Sequence, residues 1–199
     1  FLFMPGTGKI HFTPGTHEKP DSGYRSRYSH DREWTSPNYY GVDLLDYRVK
    51  AEMTSGIRSG ILRFTYPASD SSFVLLDLNH TLWQSCPWSN LRVENDSTLT
   101  GYKLVKGWGP ERHVYFTAVF SRPFEDFGIM QDTIPVIYNT KRFRSHLEAW
   151  GKDLRFWMRF PTREGEMITV KVAISAVSTE GAANNMQELE GKDFASLKA

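Results

Sequence analysis

Strict alternation of apolar and polar residues recurs along the chain and restricts its fold more than any other feature. In the last such segment every second residue is apolar: Ile168, Val170, Val172 and Ile174. A period of two is typical of a β-strand with one face against a core and one face in water. Turn signals separate about nine or ten such segments, so the sequence predicts an all-β fold, an antiparallel β-sandwich, rather than a parallel α/β sheet.

Further segments with this period, or with a continuous apolar run, predict the other strands. They cover residues 1–10, 49–54, 62–66, 72–78, 99–105, 114–120, 128–138 and 154–160. The first is expected to break at Pro5-Gly6 and the one over residues 128–138 at Pro135, because proline cannot donate to a strand ladder. The apolar run over residues 72–78 predicts a strand that is covered on both faces.

Only the C-terminus changes to a helical period. Ser178 is expected to cap a helix at its start, and Gly191 fits its end. The residues that would share one face of this helix are Ala183, Met186 and Leu189. We therefore predict a β-sandwich domain over residues 1–177, lacking its first strands, and a helical linker over residues 178–199 that ends in unpacked sequence.

The charge balance gives no reason to expect a nucleic-acid or anionic-membrane partner. The 199 residues include 24 Lys and Arg against 23 Asp and Glu, so the formal net charge is +1. No apolar run approaches the ~20 residues that a membrane-spanning helix needs. Cys86 is the one cysteine, so an internal disulfide is excluded, and without a flanking base the thiol is expected to be inert.

Charged and aromatic residues concentrate in residues 23–45, which we interpret as the interaction centre of the chain. This stretch reads GYRSRYSHDREWTSPNYYGVDLL and fits neither an ordinary strand nor an amphipathic helix. We predict a short strand that ends near Ser29, an irregular polar loop over residues 30–38, and a new strand from Tyr39. A loop with so much charge and ring surface is expected to lie against its own domain or against a partner.

Two pairs in this stretch are candidates for chemistry. His30 and Glu33 could act as metal ligands or as an acid–base pair, but a structural network that ties the loop down is favoured, because no second histidine or cysteine lies nearby. Arg25 and Arg27 could bind a carboxylate through paired hydrogen bonds. For them intramolecular ion pairing is favoured, with these possible partners: Asp31, Glu33 and Asp43.

Three tryptophans could contact a ligand. Trp83 and Trp88 flank Cys86 and could stack on sugar faces, although packing in a core or an interface is favoured. Trp108 lies between two glycines in a turn. Exposure for contact with a ligand and packing against its own domain are equally expected there. The remaining polar candidates are isolated and have no spacing that favours catalysis: Asp77, His80 and Asp96. The residues by themselves define no self-contained catalytic set.

Four stretches match, in order, the motifs of a known family. GYRSRYSHDREWTSPNYYGVDL is similar to G-Y-x-S-x-F-S-H-x-x-E-x-A-x-P-G-Y-Y-x-V. VKAEMTSGIR, GWGPERHVYFTAVFSRPF and ISAVSTEGAANNMQELE are similar to I-x-A-E-L-T-A-T-x-R, G-W-A-x-x-Q-x-V-Y-F-x-A-x-F-S-K-P-F and I-S-F-V-S-x-E-G-A-x-x-N-L-x-x-E. The chain thus resembles glycoside hydrolase family 92, the calcium-dependent exo-acting α-mannosidases. Thr35 and Asn38 depart from the first motif, and Asn38 is a tolerable replacement for glycine at a positive φ.

The resemblance implies a galactose-mutarotase-like β-sandwich that packs on a C-terminal (α/α)6 barrel, with the active site between the two domains. The family's general acid, general base and most calcium ligands belong to the barrel, so no catalytic residue or metal ligand is assigned to this chain. We expect the chain alone to be inactive. The candidates for the pocket wall or the domain interface are Arg27, His30, Glu33, Tyr39, Tyr40 and Trp108.

For the whole enzyme, the resemblance implies hydrolysis of terminal α-mannosides of glycans with inversion, with calcium as the cofactor. It also implies an exported, periplasmic or cell-surface location and two partners, a mannose-containing glycan and the catalytic domain of the same polypeptide. Two rivals remain open: a stand-alone carbohydrate-binding β-sandwich and a self-sufficient aldose epimerase. The epimerase needs a histidine pair and an acid in one cleft, which the spacing of these histidines does not indicate: His30, His80, His113 and His146.

Overall fold

Two antiparallel sheets dominate the computed structural model, which describes residues 1–137 and 147–199. In the described residues the small sheet consists of β1 (Leu2–Thr7), β6 (Ser69–Asp77), β10 (Asp126–Gln131), β11 (Ile134–Pro135) and β13 (Leu154–Thr162). The large sheet consists of β2 (Glu33–Ser36), β3 (Tyr39–Leu44), β4 (Val49–Ser55), β5 (Ser59–Tyr66), β7 (Ser85–Val93), β8 (Thr98–Lys106), β9 (Arg112–Phe120), β12 (Glu148–Gly151) and β14 (Glu166–Ser175). The predicted antiparallel β-sandwich is confirmed.

The strand orders place the core between the sheets. The small sheet runs β1-β6-β13-β10-β11, and the large sheet runs β12-β7-β8-β9-β14-β5-β4-β3-β2. Leu76 of β6 is paired with Phe156 of β13, and both are fully buried in one cluster with Phe116 of β9. Because β6 lies between β1 and β13, its residues from Ser72 to Asp77 are all buried, as its continuous apolar run predicted.

The first strand does not break at Pro5-Gly6, so that prediction is wrong. β1 is an edge strand, where a proline can be accommodated without losing a ladder hydrogen bond. Gly6 faces the ring of Phe73, and a Cβ atom at this glycine would lie 2.4 Å from the ring. The close approach of β1 to β6 therefore requires glycine at this position.

The predicted strand before Ser29 is also wrong, because residues 23–29 form no strand. The predicted loop over residues 30–38 instead contains a 3-10 turn, His30–Arg32, followed by β2. The strand predicted from Tyr39 is present as β3. Asn38 has a φ of 61°, so the turn between β2 and β3 does need a residue that accepts the left-handed region.

A buried ion pair links the two central strands of the small sheet. Asp77 and Arg155 are 2% and 4% exposed, and the Arg155 Nε atom lies 3.2 Å from Asp77 Oδ2. The same carboxylate accepts hydrogen bonds from the Tyr24 hydroxyl at 2.9 Å and from the backbone amides of Asn79 and His80 at 2.8 and 3.1 Å. Asp77 therefore holds the long loop before β2 and the loop after β6 against the sheet.

The C-terminal residues 178–199, here called the C-terminal strap, pack on the large sheet. They contain α1 (Thr179–Asn185), a 3-10 turn (Met186–Leu189) and α2 (Phe194–Lys198). Ser178 caps α1 as predicted, since its hydroxyl accepts a hydrogen bond from the Gly181 amide. Among the described helices, none has the length and apolar character that crossing a membrane requires.

The strap does not end in unpacked sequence, and that expectation is wrong. Leu189 and Phe194 are buried against Ile61 of β5. The Arg63 guanidinium stacks on the Phe194 ring at 4.0 Å. The Glu188 carboxylate accepts hydrogen bonds from the β4–β5 turn, including the Arg58 amide at 3.0 Å. The strap is therefore attached to the domain by both apolar and polar contacts.

Candidate functional site

Glu33 is the centre of the polar network in the predicted interaction loop. Its Oε2 atom lies 2.6 Å from His30 Nδ1, and its Oε1 atom accepts a hydrogen bond from the Tyr40 hydroxyl at 2.6 Å. The hydrogen bond from Tyr40, followed by the one from His30, lowers the pKa of the Glu33 carboxyl. Burial and the bond to Glu33 raise the pKa of Tyr40 to about 12. This arrangement ties the loop to β3, as the favoured structural interpretation predicted.

Arg27 pairs with a partner that sequence reasoning missed. Its Nε donates to Asp46 Oδ1 at 2.7 Å, and its backbone amide donates to Asp46 Oδ2 at 2.6 Å. These hydrogen bonds lower the pKa of the Asp46 carboxyl. The predicted partners are therefore wrong for Arg27, and it is Arg32 that approaches Asp43, at 3.7 Å. Asp46 lies in the β3–β4 turn, which the fold alone brings beside the loop.

Tyr39 lies under the C-terminal strap, away from the Glu33 network. The Tyr39 hydroxyl donates to Glu52 Oε1 at 2.9 Å. Glu52 is only 4% exposed, and Arg63 binds it through two nitrogens at 2.9 Å. The Lys198 ammonium lies over the Tyr39 ring at 3.6 Å. The adjacent Tyr40 points to the opposite face of the sheet, as alternation requires. The two neighbouring tyrosines therefore make different hydrogen bonds, Tyr39 to Glu52 and Tyr40 to Glu33.

Substitution of Tyr40 by phenylalanine is expected to raise the pKa of Glu33 toward its ordinary value, because the first cause of its lowering is removed. A carboxyl with a lowered folded-state pKa stabilises the fold above its ordinary pKa and loses that contribution as the pH falls through the lowered pKa. The variant should therefore lose less stability on acidification. An NMR titration of the Glu33 carboxyl carbon measures the shift.

The matched control is Tyr39→Phe, whose hydroxyl bonds Glu52 instead. This variant should leave the Glu33 titration unchanged. An unchanged Glu33 pKa in Tyr40→Phe would show that the hydrogen bond does not determine the charge state of the loop.

Exposed apolar side chains gather at one end of the large sheet. Ile57 in the β4–β5 turn and Trp108 in the β8–β9 turn are each 91% exposed. The other members of this group, here called the apolar rim, are on the β6–β7 loop and after β14: Leu82, Trp83 and Val177. Trp83 therefore does not pack in the core. The sequence indicates the rim through apolar residues in turns, but of its members only Trp83 and Trp108 were predicted as possible contact residues.

An open cavity of about 640 Å³ adjoins the rim at Ile57. Its walls are mostly apolar and come from β3, β4, β5 and β14, with Tyr40, Met53, Leu62 and Ile174 among them. Tyr40 thus joins the Glu33 network to the cavity wall. The structure brings His30, Glu33 and Tyr40 together, and Tyr39 and Tyr40 both line this cavity, whereas Arg27 is paired with Asp46 and Trp108 is exposed on the rim.

The side chains that could ligate a metal ion are dispersed among the described residues. Over residues 1–137 and 147–199, no three His, Cys, Asp or Glu side chains are grouped to hold a metal ion. His30, His80 and His113 lie in different parts of the sandwich, and His146 lies outside the described residues. Burial raises the pKa of the Cys86 thiol, which disfavours the reactive thiolate.

The fold and the site define a class: a β-sandwich domain with a mostly apolar cavity and an apolar rim. The model of the glycosyl hydrolase family 92 N-terminal domain matches residues 1–175. The chain therefore belongs to the family of glycosyl hydrolase family 92 N-terminal domains.

Solved structures agree with this assignment. The family GH92 α-mannosidase BT3965 from Bacteroides thetaiotaomicron is 68% identical, with a TM-score of 0.94 over 99% of this chain and 27% of that one. Its complex with mannoimidazole gives the same identity and TM-score. The inverting mannosidase BT2199 from the same species, at 19% identity and a TM-score of 0.77 over 98% of this chain and 24% of its own, shares the fold. No curated protein sequence matched the chain.

The chain thus spans about a quarter of the length of these solved mannosidases, 27% in the first case.

Proposed function

We propose that this chain is the N-terminal domain of a calcium-dependent exo-α-mannosidase, which hydrolyses terminal α-mannosides of glycans with inversion. The observation that carries the proposal is the 68% identity over 99% of the chain to the structure of a family GH92 α-mannosidase. That structure also exists in complex with mannoimidazole, which supports a mannose-containing glycan as the substrate. The chemistry would belong to a further domain of the same polypeptide.

Inversion requires two carboxyl groups on opposite sides of the glycosidic bond. One protonates the leaving oxygen, while the other activates a water molecule on the far face of the sugar ring. Three of the described carboxylates are already engaged: Asp77 and Glu52 are buried in ion pairs, and Glu33 is bound by His30 and Tyr40. In line with the family resemblance, we assign both carboxyl groups, and the calcium that would help bind the sugar, to the proposed catalytic domain.

The contribution of this chain would be to dock on that domain and to shape the pocket. Monomeric proteins rarely expose large contiguous apolar patches, and such patches mark interaction sites. The apolar rim with Trp108 and the adjoining cavity form such a surface. The Glu33 network fixes the position of Tyr40 at the cavity wall, so His30 and Glu33 would act by positioning.

The proposal is tested by assaying the full-length polypeptide that carries this chain against an aryl α-mannoside. We expect turnover, release of β-mannose as the first product by NMR, and loss of turnover on calcium chelation with recovery when calcium is added back. The 199-residue chain alone should show no turnover. Retention of the α-anomer, or activity on β-mannosides or α-glucosides only, would contradict the proposed function.

An exported, periplasmic or cell-surface location is part of the same proposal. It is supported by the family resemblance, because glycans with terminal α-mannose are met outside the cytoplasm. Cell fractionation with an antibody against residues of the exposed β8–β9 turn would locate the protein.

A further inference from the structure

The outer face of the large sheet, opposite the face that packs on the core, carries a second group of aromatic side chains. Trp150 of β12 is opposite Asn90, Asn90 is opposite Tyr102, and Tyr102 is opposite Tyr115. Directly opposed residues in antiparallel strands point to the same face. Two residues further along each strand, the next row of side chains points to the same face and contains Trp88, Leu104 and His113. The rings Trp88, Tyr102, His113, Tyr115 and Trp150 are here called the aromatic platform.

Three of the rings are in contact with one another, and the two tryptophans beside them are exposed. Tyr102 and Tyr115 have ring centroids 5.4 Å apart, and the rings of His113 and Tyr115 are stacked at 5.7 Å with 14° between their planes. Trp88 and Trp150 are 46% and 51% exposed. Four neighbouring strands at a spacing of about 4.8 Å make the platform about 14 Å wide. That width exceeds the dimension of one sugar ring.

Polar side chains that form hydrogen bonds and one ion pair border the platform. Asn90 Nδ2 donates to Glu148 Oε1 at 3.1 Å. Arg92 Nε lies 3.2 Å from Glu94 Oε2, and the Thr100 hydroxyl donates to Glu94 Oε1 at 2.6 Å. Arg92 and Glu94 compensate each other, so the five residues carry one net negative charge, that of Glu148. Such a border disfavours an anionic ligand, and its hydrogen-bonding groups suit a neutral ligand with many hydroxyl groups.

The C-terminal strap leaves the β7 and β12 side of this face open. α2 packs on β4 and β5, and α1 packs on β14 and β9 and also contacts β8. Trp88 on β7 and Trp150 on β12 therefore lie beyond the strands that α1 contacts. Flat aromatic faces beside hydrogen-bonding groups match a pyranose ring, whose C–H faces are apolar and whose edge carries hydroxyls.

We propose that the aromatic platform is a binding site for a neutral glycan chain. The inference rests on the proposed function, because a mannosidase meets mannose-rich chains. The site would hold a polymeric substrate on the outer face of the domain and take no part in bond cleavage. Its ligand class is a mannan-type oligosaccharide or polysaccharide, bound by ring stacking with Trp88 and Trp150.

The test compares the full-length polypeptide with its Trp88→Ala/Trp150→Ala variant by native affinity electrophoresis in gels containing soluble α-mannan. Loss of two stacking rings should weaken mannan affinity about tenfold. Turnover of an aryl α-mannoside should be unchanged, because this small substrate does not reach the platform. The control is Trp34→Ala, which removes a 41% exposed tryptophan from the far edge strand of the same sheet and should change neither property.

Equal mannan affinity of the parent and the double variant, or no retardation of the parent, would overturn the proposal. A lower melting temperature of the double variant with unchanged mannan affinity would also overturn it and would identify the platform as a protein-covered face. Failure of the proposed function gives a different result, namely no aryl α-mannoside turnover in the parent whatever its mannan affinity.

Discussion

Replacing Asp77 with asparagine is expected to lower the free energy of unfolding by about 3 kcal/mol, because the buried Arg155 guanidinium loses its buried counter-charge and keeps only the partly exposed Asp153. Both side chains are almost completely buried, and the same carboxylate also binds Tyr24 and two backbone amides. Urea denaturation followed by tryptophan fluorescence measures the change. The midpoint should fall with little change in the slope, since the surface exposed on unfolding is similar.

Asp153→Asn is the matched control, because Asp153 Oδ1 lies 2.7 Å from Nη2 of the same Arg155 but is partly exposed. A partly exposed pair contributes little, so this variant should lose less than about 1 kcal/mol. Similar losses in the two variants would show that burial does not distinguish the two carboxylates.

Phe194→Ala should lower the free energy of unfolding by about 3 kcal/mol, at the lower end of the range for buried phenylalanine because the strap can partly relax. Phe194 is 5% exposed, packs with Ile61 and Leu189, and carries the Arg63 guanidinium on its ring. Thermal and urea denaturation of the chain measure the effect. Hydrogen exchange of the β5 amides should also become faster.

Val177→Ala provides the comparison, since this residue is adjacent to the strap and 82% exposed. Its effect should stay within about 0.5 kcal/mol. If Phe194→Ala were as mild, the strap would be a linker that only rests on the sheet, as its sequence first suggested.

A strand could be predicted from the sequence where one of its faces is apolar and the other is polar. β14 and β13 separate a core face from a polar face, so their alternation is visible in the sequence. β7 and β12 were missed, because β7 buries Ser89 and Asn90, whose side chains are satisfied by hydrogen bonds to β12. A buried polar residue with a partner on another strand has no apolar signal.

Contacts in the site were predictable only where they are local. His30 and Glu33 are three residues apart, and their pairing follows from that spacing. The pairing of Arg27 with Asp46 depends on the β3–β4 turn, and that of Tyr39 with Glu52 depends on the register of β3 and β4. Register is a property of the assembled sheet, so these partners could not be identified from spacing.

Glu188 joins two regions that are distant in the chain. Its carboxylate accepts hydrogen bonds from the Arg58 amide and the Ser59 hydroxyl, and both of these residues line the cavity. One wall of the cavity is therefore held in place by the 3-10 turn Met186–Leu189 of the C-terminal strap. Substitutions in the C-terminal strap that move Glu188 would therefore alter the shape of the cavity. We expect substitutions in the strap and in the cavity wall to be coupled.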